Sequence, residues 1–227
     1  MFTSIRQRFK RKHSDVGDVT AQPGYLADLL RRMTLKETVK SSDESISWHA
    51  HREAERVASP ELLEEIQALS TPRAPKAQRS AAYFVLAAIS RNSGDTRCVH
   101  VLCGYVEAES DKYVLSQLLI SLSTVPKPRD VALEPIFKLL LDERWLVRHA
   151  AIQALKDSDS LIAEEKVLAF LESTSDPVDK IYCHSTLNQI GTSHAIPLLL
   201  ASTKSRKRDV KASAISAIAA IEARAAN

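Results

Sequence analysis

The chain has 227 residues, 44% of them hydrophobic and 26% charged, with a formal net charge of +3. That balance describes a globular chain and excludes collagen, low-complexity disorder and a disulfide scaffold. No apolar run reaches the roughly 18 residues a spanning helix needs. The 5 glycines, about 2% of the chain against a usual ~7%, argue against tight hairpins and against a Gly-rich phosphate loop.

The charge is uneven along the chain. Residues 1–40 hold nine Lys/Arg and four Asp/Glu, whereas residues 41–227 hold twenty-two and twenty-four. A near-neutral body does not supply the basic face that duplex DNA demands. In the N-terminal segment, residues 1–20, Phe2, Ile5 and Phe9 fall at helical spacing among Arg6, Arg8, Lys10, Arg11 and Lys12. This reads either as a short basic amphipathic helix for an anionic membrane or acidic groove, or as a basic tail. No apolar segment follows it, so it is not read as a secretory signal.

From residue 21 onward the predicted elements form a repeating pair. PGYLADLLRRM (23–33) is the first amphipathic helix. After a turn at SSDES (41–45), Ala50, Ala54, Val57 and Ala58 lie at offsets 0, 4, 7 and 8, one stripe of a second helix. SPELLEEIQAL (59–69) opens the next pair, with Ser59 as N-cap and Pro60 in the first turn. The turn TPRAP (71–75) leads to the stripe Ala81, Val85, Ala88 and Ile89. TRCVHVLCGYV (96–106), weakened by Gly104, precedes Val114, Leu118, Ser121 and Leu122. RDVALEPIFKLLL (129–141) precedes Val147, Ala151, Ala154 and Leu155. SLIAEEKVLAFL (160–171) precedes a looser stripe of Tyr182, Thr186 and Ile190. SHAIPLLLAS (193–202) precedes Val210, Ala214, Ala217 and Ile218. Asp111, Asp142, Asp176 and Asp209 are expected to cap second helices. The stripes begin at 50, 81, 114, 147, 182 and 210, a rhythm of thirty-odd residues that marks a repeat architecture.

The run Val147, Arg148, Ala151, Ala154 and Leu155 resembles the second helix of a HEAT-like repeat, and Val210, Lys211, Ala214, Ala217 and Ile218 resemble another copy. The resemblance extends over roughly residues 22–224. It implies an all-α, right-handed α-solenoid of about six HEAT-like helix pairs, with second helices lining a concave face. It also implies that Arg148 and Lys211, which share one register position, pair with an Asp or a carbonyl of a neighbouring repeat. One activity does not follow from it.

Taking offsets +2 and +6 as the solvent side of the second helices selects Arg52, Tyr83, Ser116, His149, Gln153, His184, Asn188 and Ser216, a polar and mostly uncharged set suited to a peptide or helix of another protein. Trp145, at the mouth of a second helix, reads as a binding anchor or as core. Lys204, Arg206, Lys207 and Arg208 form a basic turn for an acidic partner or lipid, or one that simply stays wet. His49 with Glu53 and His51 with Glu55 share helix faces but lack a third ligand, so no metal site is assigned. Cys98, Cys103 and Cys183 fit core positions in a reducing cytoplasm. No motif of nucleophile, phosphate loop or metalloprotease is present, and no cofactor is expected. The expectation is a non-catalytic protein-interaction scaffold, cytoplasmic and able to touch a membrane peripherally through its N-terminal segment. The alternative is a nucleic-acid-binding or glycosylase-type protein on the same scaffold.

Overall fold

Residues 22–226 are described by a computed structural model. Among them are twelve α-helices in six pairs and no strand beyond one isolated bridge. The pairs are α1 (Tyr25–Met33) with α2 (Ile46–Ala54), α3 (Leu63–Leu69) with α4 (Lys76–Ser93), and α5 (Thr96–Ala108) with α6 (Lys112–Leu122). They continue as α7 (Glu134–Lys138) with α8 (Trp145–Ala154), α9 (Leu161–Ser173) with α10 (Pro177–Ile190), and α11 (Ile196–Ser202) with α12 (Arg208–Ala225). Helices α4, α6, α8, α10 and α12 stack side by side as one layer, and each packs on the odd-numbered helix of its own pair. The chain is an all-α solenoid, as its rhythm requires. Some odd helices are short because 3-10 turns stand beside them, at Pro60–Leu62, Leu139–Leu141 and Ser193–Ala195.

The apolar stripes are the core. Ala81, Val85, Ala88 and Ile89, and likewise Val147, Ala151, Ala154 and Leu155, are all buried. The fifth unit departs from the expected register. Its buried positions are Asp179, Cys183, Thr186 and Leu187, at offsets 0, 4, 7 and 8 from residue 179, while Tyr182 and Ile190 are only half-buried. A hydrophobic template passes over this register because a carboxylate occupies the position held elsewhere by Ala or Val. With the stripe starting at 179, the spacing from Val147 and to Val210 becomes 32 and 31 residues, more even than the sequence suggested.

Two of the expected aspartate caps form. Asp111 accepts from the N–H groups of Tyr113 and Val114, and Asp176 from those of Val178 and Asp179. Asp95 caps α5 in the same way. The other two are corrected. Asp142 accepts from Arg144 N–H at 2.8 Å before α8 begins, and Asp209 lies inside the first turn of α12, whose N-cap is Lys207. Each stands two residues from the N-cap position, Asp142 before Arg144 and Asp209 after Lys207, too far to accept from the orphan N–H groups of the first turn in the capping geometry.

Arginine–carboxylate clasps tie successive elements. Arg32 binds Glu53 at 2.8 and 3.1 Å, joining α1 to α2. Arg79 binds Glu109 at 2.8 and 3.0 Å, joining α4 to the end of α5. Arg148 binds Asp179 at 3.1 and 3.2 Å, joining α8 to α10. On the other edge, the loop after α6 is bonded to the loop after α8. The Lys127 N–H donates to Asp157 O, and the Asp159 N–H donates to Lys127 O. The buried Lys127 ammonium donates to the carbonyls of Leu122 and Val125 at the end of α6. Burial pushes this amine down to about 8.

Candidate functional site

The even-numbered helices present one open sector between neighbouring units, and its residues are not those expected. Tyr83, Ser116 and His149, all at offset +2, are buried. Tyr83 lies against Tyr105, with ring centroids 5.2 Å apart, and its hydroxyl donates to Glu109 at 3.4 Å inside the Arg79 clasp. His184 is also buried; its register follows Asp179, so it stands at +5 rather than +2. Asn188 is half-buried and spends its amide on the Ser216 carbonyl of α12 at 3.0 Å. Gln153 is half-buried and Ser216 exposed. Arg52 is exposed but engaged, bonding Glu55 at 2.7 Å and lying over the Trp48 ring at 5.4 Å. The physical cause is the same at Tyr83, His149 and His184: a second helix is buried on its stripe by its partner and again by the unit that follows, and the second burial takes in +2 and +5.

Positions −1, +3 and +6 are open on α6, at Tyr113, Gln117 and Ile120, and on α10 only Val178 at −1 is exposed, with Tyr182 and Ser185 half-buried. On α4 Ser80 and Phe84 are half-buried, and on α8 Ala150 at +3 is buried. Three exposed side chains stand at the N-terminal ends of successive second helices: Tyr113, Trp145 and Val178. Trp145 is 61% exposed and Tyr113 63%, so neither is core; among the described residues Trp145 lies against the His149 ring alone, and the Lys112 ammonium lies 5.0 Å from the Tyr113 ring. Leu141, at the turn into α8, is also exposed. Tyr113, Trp145 and Val178 are thus carried at the same ends of three helices that pack side by side, roughly 8–10 Å apart, a line here called the ridge.

The centre of the ridge is built on a buried charge. Trp145 lies 5.7 Å from the His149 ring, and His149 stacks on Tyr182 at 4.3 Å with an interplanar angle of 17°. Behind the stack, Asp179 accepts from His149 Nε2 at 2.7 Å, from Thr174 Oγ1 at 3.1 Å and from Arg148 Nε. The Arg148 guanidinium also donates to Asp142 O at 2.8 Å. Arg148 thus has the inter-repeat role its resemblance implied, whereas Lys211, at the same register, is exposed. No nucleophile stands against His149 in these contacts. The arrangement places an aromatic surface over the buried Asp179.

Other expected residues are placed as follows. Lys204, Arg206, Lys207 and Arg208 are exposed, and none makes an ion pair among the described residues. Arg6, Arg8, Lys10, Arg11 and Lys12 lie outside the described residues. His49 Nε2 meets Asp43 O at 2.9 Å, His51 Nδ1 meets Ser47 O at 2.8 Å, and Glu53 and Glu55 are taken by arginines. Among the described residues no group of His, Cys, Asp or Glu is set to hold a metal, and no helix is long and apolar enough to cross a membrane. The three cysteines are buried, and burial pushes the Cys98 and Cys103 thiols up to about 11. Sequence reasoning missed Asp179, Tyr182, Tyr113 and Val178. Tyr113 and Val178 share register position −1 of their helices, whereas Trp145 stands at −2, one residue further from its stripe, so the period alone finds the first two and not the third.

Residues 133–219, from the loop before α7 into α12, match the family model described as HEAT repeats. Among curated proteins, none matches the chain.

Proposed function

We propose, taking as premise that this chain is a HEAT-like repeat protein, that it is a non-catalytic scaffold that seats a helix or extended segment of another protein along the ridge Tyr113–Trp145–Val178. The observation that carries this reading is the exposed Trp145, supported from beneath by the His149–Tyr182 stack and the Asp179 clasp. Large aromatic side chains held rigid and exposed lose little entropy on binding and dominate interface energies. The spacing of the ridge suits side chains presented by one face of a partner segment. The unpaired cations at Lys204, Arg206, Lys207 and Arg208 add an electrostatic contact for an acidic stretch of that partner. The basic residues Arg6 to Lys12 supply a second one, to the partner or to an anionic membrane. Buried, high-pKa thiols suit a reducing cytoplasm.

A photo-crosslinking amino acid placed in the full chain at 113 or 145, and at Leu161 as a control on the opposite edge, tests the reading in cells. A protease-sensitive adduct at 113 and 145 that is absent at 161 supports it. Adducts sensitive to nuclease, or equal yields at all three positions, refute it and favour the nucleic-acid alternative or no ridge at all.

A further inference from the structure

The last helix pair exposes a face that every other inner unit covers. Offset +5 of the second helix is occupied by Leu86, Leu119, Ile152 and His184 in the second to fifth units, and each is fully buried. In each case the next even-numbered helix packs alongside. The equivalent residue of α12 is Ile215, which is 49% exposed. Offset +8 behaves the same way: Ile89, Leu122, Leu155 and Leu187 are fully buried, whereas Ile218 is only half-buried. Leu200 of α11 is exposed on the same side, and together with Ile215, Ile218, Lys211 and Glu222 it lines one open depression. Among the described residues nothing fills it.

Its charges are arranged for a copy of itself. Lys211 and Glu222 bracket the two isoleucines on one line of α12, about 16 Å apart along the helix. Neither makes an ion pair among the described residues. We infer that α12 docks antiparallel against α12 of a second copy of this chain, about a two-fold axis midway between Ile215 and Ile218. That axis sets Lys211 against Glu222 of the second copy and the reverse, and Ile215 against Ile218 of the second copy. A two-fold interface must be self-complementary, and a line with a cation at one end, an anion at the other and apolar residues between is self-complementary only when antiparallel. Ala212 and Ala219 on the same side let the helices approach closely. Burial of Ile215 and Leu200 supplies the affinity, while the two rim ion pairs fix register and orientation.

Sedimentation of the full-length protein over a wide concentration range, with circular dichroism to confirm folding, tests this. The wild type is expected to show a monomer–dimer equilibrium. Ile215→Glu is expected to weaken it at least about a hundredfold, and Lys211→Glu, which opposes carboxylates at both ends, about tenfold. The charge swap Lys211→Glu with Glu222→Lys is expected to return the dissociation constant to within about threefold of wild type. A monomer at every concentration, a dimer indifferent to Ile215→Glu, open-ended growth, or a charge swap that fails to rescue would each overturn the inference. All three positions are at least half-exposed or nearly so, so the variants keep the helix and report on association alone.

Discussion

Replacing Asp179 with Ala is the sharpest perturbation of the ridge. The side chain is 5% exposed and serves the Arg148 guanidinium, the His149 ring and the Thr174 hydroxyl at once. Its removal leaves Arg148 with its bond to Asp142 O, but His149 Nε2 loses its acceptor in a buried setting. Thr174 can rotate toward water. Breaking a buried, hydrogen-bonded pair by deleting one partner costs about 3–5 kcal/mol. The retained Arg148 bond puts the expectation at the low end, about 3 kcal/mol. For a chain of this size that lowers the melting temperature by roughly 6–12 °C. The double variant Arg148→Leu with Asp179→Val installs the apolar residues that the third and fourth units already carry at the equivalent positions, Leu115 and Val147. It is expected to recover at least half of the loss, because exchanging a buried ion pair for packed hydrocarbon is often neutral or better. Calorimetry on the two singles and the double closes the cycle, with a coupling energy above about 1.5 kcal/mol expected. A shift below about 2 °C for Asp179→Ala, or strictly additive singles, would refute the claim that this carboxylate holds α8 to α10.

The buried His184 gives a pH dependence. Its Nδ1 lies 2.9 Å from Ser213 Oγ, whose own proton goes to Val210 O, so Nδ1 donates and the buried Nε2 has no partner. Burial, with Lys180 nearby, pushes the imidazole down to about 4. Above pH 6.5 both folded and unfolded chains hold it neutral and no stability is lost; as pH falls, only the unfolded chain takes up the proton. Stability from this group is therefore expected to decline by roughly 3 kcal/mol between pH 6.5 and 4, and denaturant titrations of His184→Gln should lack that component of the slope. Gly104 lies exposed within α5 with open space where a Cβ would stand, so Gly104→Ala should stabilise by about 0.5–1 kcal/mol in chemical denaturation. Gly191 is the opposite case: a Cβ there would meet Leu187 O at 2.5 Å and Ile221 Cδ1 at 2.9 Å. Gly191→Ala is expected to cost about 1–3 kcal/mol and to loosen α12 from α10, seen as faster amide exchange in α12.

The stacking was legible in the sequence because burial recurs. Each unit must present the same apolar stripe to its own first helix, and Val147 to Leu155 and Val210 to Ile218 state that pattern openly. The fifth unit hid its register for a physical reason. Asp179 stands where the stripe requires an apolar residue, and its carboxylate is tolerable there only because Arg148 and His149 arrive from the preceding unit. A template for apolar residues is blind to a position whose fitness comes from partners thirty residues away.

The rotation of the open face was lost for a related reason. At about 100° per residue, the point diametrically opposite a stripe at 0, 4, 7 and 8 falls near +2, the right answer for a helix buried on one side only. A second helix in a solenoid is buried on two sides. The following unit covers +5 at Leu86, Leu119 and Ile152 and reaches +2 at Tyr83, Ser116 and His149. The open sector is therefore turned toward −1 and +3, onto Tyr113, Tyr182 and Val178. The same two-sided burial accounts for α12. On α12 the +5 residue Ile215 is exposed, and this is the face that elsewhere joins repeat to repeat. One arrangement of the helix surface thus accounts for both faces: positions +5 and +8 are buried from the second unit to the fifth, mostly by apolar residues, and on α12 the same positions, Ile215 and Ile218, are exposed and half-buried.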